Sequence, residues 1–204
     1  MTPSSLRRWG AVLIAGGVVT FVAYLFFPDT AADPLIQTCA AGVLVGLLLL
    51  LPGLFAFQRA QSERAAVNGW IGAGLLAAGI ALLEFPHCIL ALVDRDRLLD
   101  LDSYHASFLG QAEFYAIIAV AVGQLVLAVA VLRSRVYPRW AAGIIFADAA
   151  LSVAATVVPV LGDWLRIPAP NYLLFGLLGT ALISLARQRE ASLAGVNHPA
   201  EAAV

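Results

Sequence analysis

The chain has 204 residues, of which 61% are hydrophobic and 12% are charged, and its net charge is -1. A soluble domain of this length carries roughly 25% charged residues, so the composition excludes an ordinary water-soluble domain and indicates a protein of the lipid bilayer. Because the chain has no basic stripe with interleaved aromatic residues, we expect no nucleic-acid partner.

Six apolar segments reach the length of about 20 residues that a transmembrane helix needs. In chain order they are approximately residues 9–27, 35–57, 67–92, 108–132, 139–161 and 170–187. Backbone groups in lipid must hydrogen-bond within their own segment, so each segment is predicted to be a helix. The predicted fold class is all-α, an integral membrane bundle of six transmembrane helices in a single domain, residues 1–189. The polar segment 190–204 is predicted to be a disordered cytoplasmic tail.

The arginine residues predict how this bundle is oriented. An excess of basic residues marks the cytoplasmic side of a membrane protein. Nine arginines fall on one side of the six-helix arrangement, namely Arg7, Arg8, Arg59, Arg64, Arg133, Arg135, Arg139, Arg187 and Arg189. Three fall on the other side, namely Arg95, Arg97 and Arg166. Both termini are therefore predicted to be cytoplasmic. The absence of lysine, with much alanine, glycine and valine, favours a bacterial plasma membrane.

A basic turn precedes the fifth predicted helix. Residues 133–140 read Arg-Ser-Arg-Val-Tyr-Pro-Arg-Trp. This stretch resembles the Arg-rich, Pro-Arg-Trp-like turn between the fourth and fifth helices of the DUF4386-like six-helix bacterial membrane proteins, and the basic turn after the second helix is also similar. The resemblance implies the six-helix layout and no catalytic residue. Arginine at the boundary, proline at a helix start and tryptophan at the interface also explain the same turn physically.

Three carboxyl groups lie inside predicted transmembrane helices: Glu84, Glu113 and Asp148. A charged side chain at mid-bilayer costs about 2.5–3.5 kcal/mol on insertion scales, so such residues usually face the bundle interior or a cavity. Glu84 shares a helix face with small residues, which let a neighbouring helix approach closely. His87 follows at i+3 on nearly the same face, and Pro86 between them is expected to kink the helix or free a carbonyl.

The other intramembrane polar residues lie on the fourth and fifth predicted helices. Glu113 lines up with Gln124, Tyr115 lies on an adjacent face, and Asp148 lines up with Ser152 one turn later. Counting about 1.5 Å per residue places Glu84 and Glu113 in the outer third of the membrane and Asp148 near its middle. We therefore predict an outward-facing polar pocket between the third, fourth and fifth helices. Its predicted ligand-binding residues are Glu84, His87, Glu113, Tyr115, Gln124, Asp148 and Ser152.

The sequence predicts no cofactor and no metal site. Residues 84–87 match the Glu-x-x-His of di-iron bundles, but those sites need a second copy and two further glutamates. The two cysteines, Cys39 and Cys88, are too few for a disulfide scaffold. Whether they pair is left open, although two buried thiols are the expected state.

Three functional classes fit this pattern. The first is a transport or capture subunit that binds a small or lipophilic molecule, similar in size and topology to the vitamin-capturing subunits of energy-coupling-factor transporters. The second is an intramembrane acid–base enzyme, an isomerase or terpene-cyclase-like protein, in which a neutral Glu84 or Asp148 would be the catalytic acid. The third is an accessory protein whose partners are the bilayer and another membrane protein, with the carboxyl groups serving helix association. We expect the first class.

Overall fold

The computed structural model describes residues 1–28, 34–93, 108–157 and 169–196. Nearly all of this part of the chain is helical, and the prediction of an all-α protein is confirmed for it. The helices are α1 (Pro3–Leu25), α2 (Leu35–Val93), α3 (Phe108–Ser134), α4 (Arg139–Val157) and α5 (Ala169–Val196). The predicted breaks at 94–107 and 161–168 lie outside the described residues.

The second helix, α2, stays helical through Pro52 and Pro86. Its two halves nevertheless run in opposite directions. The rings of Phe55 and Trp70 stack with their centroids 6.4 Å apart, whereas 15 residues of straight helix would separate them by about 22 Å. The basic segment predicted as a break therefore reverses the chain direction. We call the two arms α2a (Leu35–Arg64) and α2b (Val67–Val93).

Four helical segments are long and apolar enough to cross a membrane by length and composition. They are α1, α2a, α2b and residues Gln111–Ser134 of α3. They match the first four predicted transmembrane helices, and large apolar side chains such as Val18, Leu48 and Ile118 are exposed on their surfaces. Transmembrane status for α4 and α5, and the side on which the termini lie, stay predictions.

Two helices extend beyond their predicted limits. Helix α1 starts at Pro3, where Thr2 accepts a hydrogen bond from the Ser5 amide as N-cap and proline takes the first helical position. Helix α5 continues through Glu190 to Val196, so the first part of the predicted disordered tail is helical. Arg7 forms an ion pair with Glu190 there, and residues 197–204 lie outside the described residues.

Glycine contacts set the spacing of three antiparallel helix pairs. A Cβ added to Gly16 of α1 would lie 2.6 Å from the Leu50 nitrogen of α2a, and one on Gly123 of α3 would lie 2.5 Å from the Leu76 nitrogen of α2b. Between α1 and α5, a Cβ on Gly17 would lie 2.5 Å from a Gly176 backbone carbon. Such close approach is how membrane helices gain packing without a hydrophobic driving force.

One end of the bundle gathers the arginine-bearing segments. The Ser134 hydroxyl donates to Gln61 at 2.9 Å, and the Tyr137 hydroxyl donates to the Phe57 carbonyl at 2.7 Å. Arg189 donates to the Met1 carbonyl at 2.9 Å. Burial raises the pKa of Tyr137, with the charge of Arg189 opposing that rise, so the phenol keeps its hydrogen. The opposite end of the bundle lies near Tyr24 and Tyr172. We name it the outer end, because the arginine distribution predicts that it faces outward.

Candidate functional site

Glu84 of α2b is buried and joins three helices. Its Oε1 accepts a hydrogen bond from the Tyr172 hydroxyl of α5 at 2.5 Å, and its Oε2 accepts one from the Tyr24 hydroxyl of α1. The two tyrosine rings lie nearly parallel with centroids 5.5 Å apart. Both carboxyl oxygens therefore have a donor, and α1, α2b and α5 are fixed to one another at this point.

This position differs from the predicted pocket wall. Glu84 was predicted to share a pocket with residues of the fourth and fifth transmembrane helices, α3 and α4. Its hydrogen-bond partners come instead from α1 and α5. Glu84 and Asp148 therefore have no hydrogen-bond partner in common, since Asp148 bonds to Gln124 of α3.

His87 and Glu113 form a second contact near the outer end. The His87 Nε2 lies 3.0 Å from Glu113 Oε1 of α3, and its Nδ1 lies 2.7 Å from the Leu83 carbonyl one turn back. Both ring nitrogens face acceptors, so the arrangement is fully satisfied when both carry hydrogen. The side chain of His87 is 41% exposed, so this contact lies at the edge of the bundle and not in its core.

Gln124 and Asp148 form the deepest polar contact. Both residues are 0% exposed, and the Gln124 amide nitrogen of α3 donates to Asp148 Oδ2 of α4. Gln124 Oε1 and Asp148 Oδ1 have no hydrogen-bond partner. A buried polar atom without a partner loses its hydration with nothing in return, so this pair is incomplete as it stands.

One turn further along α4, Ser152 continues the polar path. The Asn171 amide nitrogen of α5 donates to the Ser152 hydroxyl at 2.9 Å. Asn171 is 9% exposed, and its Oδ1 has no hydrogen-bond partner. We call Gln124, Asp148, Ser152 and Asn171 the acceptor cluster, because all three of its unpartnered atoms are oxygens. It lies between α3, α4 and α5.

Five of the seven predicted ligand-binding residues fall into two hydrogen-bonded or charged groups in the structure. Glu84, which bonds to two tyrosines, and Tyr115 belong to neither group. Gln124, Asp148 and Ser152 belong to the acceptor cluster, while His87 pairs with Glu113. Tyr115 is 69% exposed and stacks edge-on against Phe114, so it points away from both groups.

Neither cysteine forms a disulfide, and both side chains are buried. The Cys39 thiol donates to the Phe26 carbonyl at 3.3 Å, which places it against the end of α1. Among the described residues, no group of three or more histidine, cysteine, aspartate or glutamate side chains could hold a metal ion. The Glu-x-x-His match at residues 84–87 is instead divided between the tyrosine contacts of Glu84 and the Glu113 contact of His87.

Three residues at these sites were not predicted: Tyr24, Asn171 and Tyr172. Each lies near the outer end of an apolar helix, where aromatic and polar residues are expected at the membrane interface in any case. A depth count would not have found them, because Tyr24 and Tyr172 lie within about one turn of the ends of their predicted helices, whereas Glu84 lies about two turns from the end of its own. The sequence also does not say which helices are neighbours, and that decides which side chains meet.

The chain matches no protein-family model, no curated protein and no solved structure. The resemblance to DUF4386-like proteins therefore stays a prediction carried by residues 133–140.

Proposed function

We propose that the chain spans the membrane six times with both termini in the cytoplasm, and that it binds a small molecule at the acceptor cluster as a transport or capture subunit. The observation that carries this proposal is the set of three buried oxygens without a partner, on Gln124, Asp148 and Asn171. Native proteins leave few buried polar atoms unsatisfied. Three on adjacent helices favour a ligand that supplies the missing donors.

The packing around the acceptor cluster supports this choice over Glu84. Glu84 already has a donor on each carboxyl oxygen, so a ligand there would have to replace two tyrosine hydroxyls. Helix α4, which carries Asp148 and Ser152, packs mainly against α3 and α5 among the described helices, and it packs less closely there than α1 does against α5. A ligand can enter beside α4 with the least loss of packing.

The membrane and its orientation belong to the same proposal. The nine arginines at one end of the bundle support a cytoplasmic placement of that end, and the acceptor cluster then extends outward from the middle of the membrane. The arginine-only basic residues favour a bacterial plasma membrane.

Native mass spectrometry with lipid and metabolite analysis of gently purified protein tests the proposal. Wild type should retain a small molecule that an Asp148→Asn, Asn171→Leu variant loses. The matched control, Tyr115→Phe, alters an exposed residue outside the cluster and should retain the molecule.

Two other outcomes would replace this function. A retained molecule that is chemically converted by wild type, but only bound by Asp148→Asn, would favour the intramembrane enzyme, with Asp148 as the acid. A retained partner protein with no small molecule in either sample would favour the accessory role, and the proposal of a ligand site would fail.

A further inference from the structure

We propose that the acceptor cluster takes a ligand bearing a primary ammonium group, and that this group displaces a proton held on Asp148 when the site is empty. The inference rests on the proposed function, since it names the ligand class of the same site. It is carried by the identity of the unpartnered atoms and by the geometry of the Gln124–Asp148 pair.

The Gln124–Asp148 pair has two unpartnered acceptor oxygens, which one additional hydrogen would join. Gln124 donates to one carboxyl oxygen of Asp148, while the other carboxyl oxygen and the Gln124 carbonyl oxygen are both unpartnered acceptors. A hydrogen on Asp148 Oδ1 directed at Gln124 Oε1 would satisfy both atoms and complete a reciprocal acid–amide pair. Without that hydrogen, the site would hold a negative charge and two unfilled acceptors at 0% exposure.

A proton alone leaves the cluster unfinished, because Asn171 Oδ1 still has no donor. An ammonium group has three N–H donors and no acceptor, which matches three unpartnered oxygens from α3, α4 and α5. It also brings the positive charge that an ionised Asp148 requires in a buried site. A neutral alcohol would supply only one donor and could not balance the negative charge of an ionised Asp148.

Among the described residues, no charged side chain bonds to Asp148. From α3 it faces Gln124, and one turn along α4 the Ser152 hydroxyl accepts from Asn171 of α5. The two close contacts between basic and acidic side chains in the described ranges, Arg7–Glu190 and His87–Glu113, do not include Asp148. Its charge balance therefore depends on a proton or on a cationic ligand.

The exchange balances in atoms and charge. The O–H bond of Asp148 breaks, its proton passes to water, and the carboxylate keeps the electron pair. The ammonium group keeps all its hydrogens and donates them to Asp148, Gln124 and Asn171. One positive charge enters for each one that leaves, so the net charge of the site does not change.

A series of primary alkylammonium ions, from methylammonium to hexylammonium, tests this directly. These ions stay protonated between pH 6 and pH 8.5, as an amine of pKa about 10.4 does. Binding to purified protein is measured by calorimetry in buffers of different ionisation enthalpy, which counts the protons released. We expect one proton released per ion bound, and an apparent affinity that rises about tenfold per pH unit where Asp148 holds its proton.

The Asp148→Asn variant is the sharpest comparison. Its amide can give Gln124 the same reciprocal hydrogen bonds as a protonated Asp148, so it should fold as wild type does but lose binding of every alkylammonium ion. Gly143→Ala on the same helix is the matched control, because an added Cβ there meets no atom within 4 Å. It should bind with unchanged affinity and release the same proton.

The outcomes separate this inference from the proposed function. Equal binding of butanol and butylammonium, or ammonium binding without proton release, would overturn the ammonium inference. A co-purifying uncharged molecule lost in Asp148→Asn would do so too, while leaving the proposed function intact. If no alkylammonium ion binds and wild type retains no small molecule, both fail.

Discussion

The carboxyl group of Glu84 has one oxygen for each of two tyrosine hydroxyls, and the hydroxyls come from different helices. Hydrogen bonds between membrane helices contribute about 0.6 kcal/mol on average and up to about 1.7 kcal/mol, because the unfolded chain in lipid also finds partners. Two such bonds at one residue make Glu84 a fixing point for α1, α2b and α5. The acceptor cluster, by contrast, is unfinished. The same kind of residue thus has satisfied hydrogen bonds between helices in one place and an unpartnered oxygen in the other.

Removing either hydroxyl should weaken the contact at Glu84 by a measurable amount. We expect Tyr24→Phe and Tyr172→Phe each to lower the free energy of unfolding in mixed micelles by about 1 kcal/mol, within the range for such bonds. Tyr115→Phe, at an exposed ring, should have no effect. Equal stability of all three variants would contradict the role assigned to Glu84.

The His87–Glu113 contact should behave as an edge ion pair. Because His87 is 41% exposed, we expect a double-mutant cycle with His87→Ala and Glu113→Gln to give a coupling of about 0.5 kcal/mol at low salt. The coupling should shrink at 1 M salt, where screening acts within about 3 Å. A coupling of several kcal/mol, or one that salt leaves unchanged, would mean that the pair is shielded from water.

At the scale of the helices, glycines decide which faces meet. The contact of Gly16 with Leu50 and that of Gly123 with Leu76 have the same atoms at almost the same distances, although the two helix pairs have little sequence in common. Apolar length predicted where the helices lie, and the small-residue face of α2b predicted that Glu84 points inward. Neither signal could pair α1 with α5, because that pairing depends on a contact between distant parts of the chain.

The glycine contact between α1 and α5 should be intolerant of added volume. We expect Gly17→Val to lower the free energy of unfolding by about 1–3 kcal/mol, the usual result of overpacking, since even a Cβ there would lie 2.5 Å from Gly176. Gly74→Val is the control, because a Cβ at Gly74 meets nothing within 4 Å. If both variants unfold alike, the effect comes from β-branching in a helix and not from the interface.

For the whole molecule, the sequence predicted the all-helical class and the first four apolar segments, since lipid restricts both composition and backbone conformation. It predicted most members of the acceptor cluster, because Asp148 and Ser152 lie on one face of a helix. It did not identify the two tyrosine partners of Glu84 on α1 and α5, because depth does not determine which helices are neighbours. It also missed Asn171, whose role depends on α5 lying beside α4.

The orientation of the bundle can be tested with single cysteines in a Cys39→Ala, Cys88→Ala background. We expect Leu35→Cys, at the outer end and exposed, to react with a membrane-impermeant maleimide in intact cells. Ser192→Cys, on α5 beyond the arginines, should react only after the membrane is permeabilised. The reverse pattern would place the acceptor cluster in the inner half of the membrane.

The packing of α1 against α5 has a consequence for biosynthesis. Helix α1 leaves the ribosome first among the described helices. The glycines against which Gly10 and Gly17 pack, Gly179 and Gly176, lie on α5, which is made after the other described helices. During translation, the face of α1 that carries Gly10 and Gly17 therefore has no packing partner until α5 has been made. A chain halted before α5 would leave that glycine face without the helix it packs against.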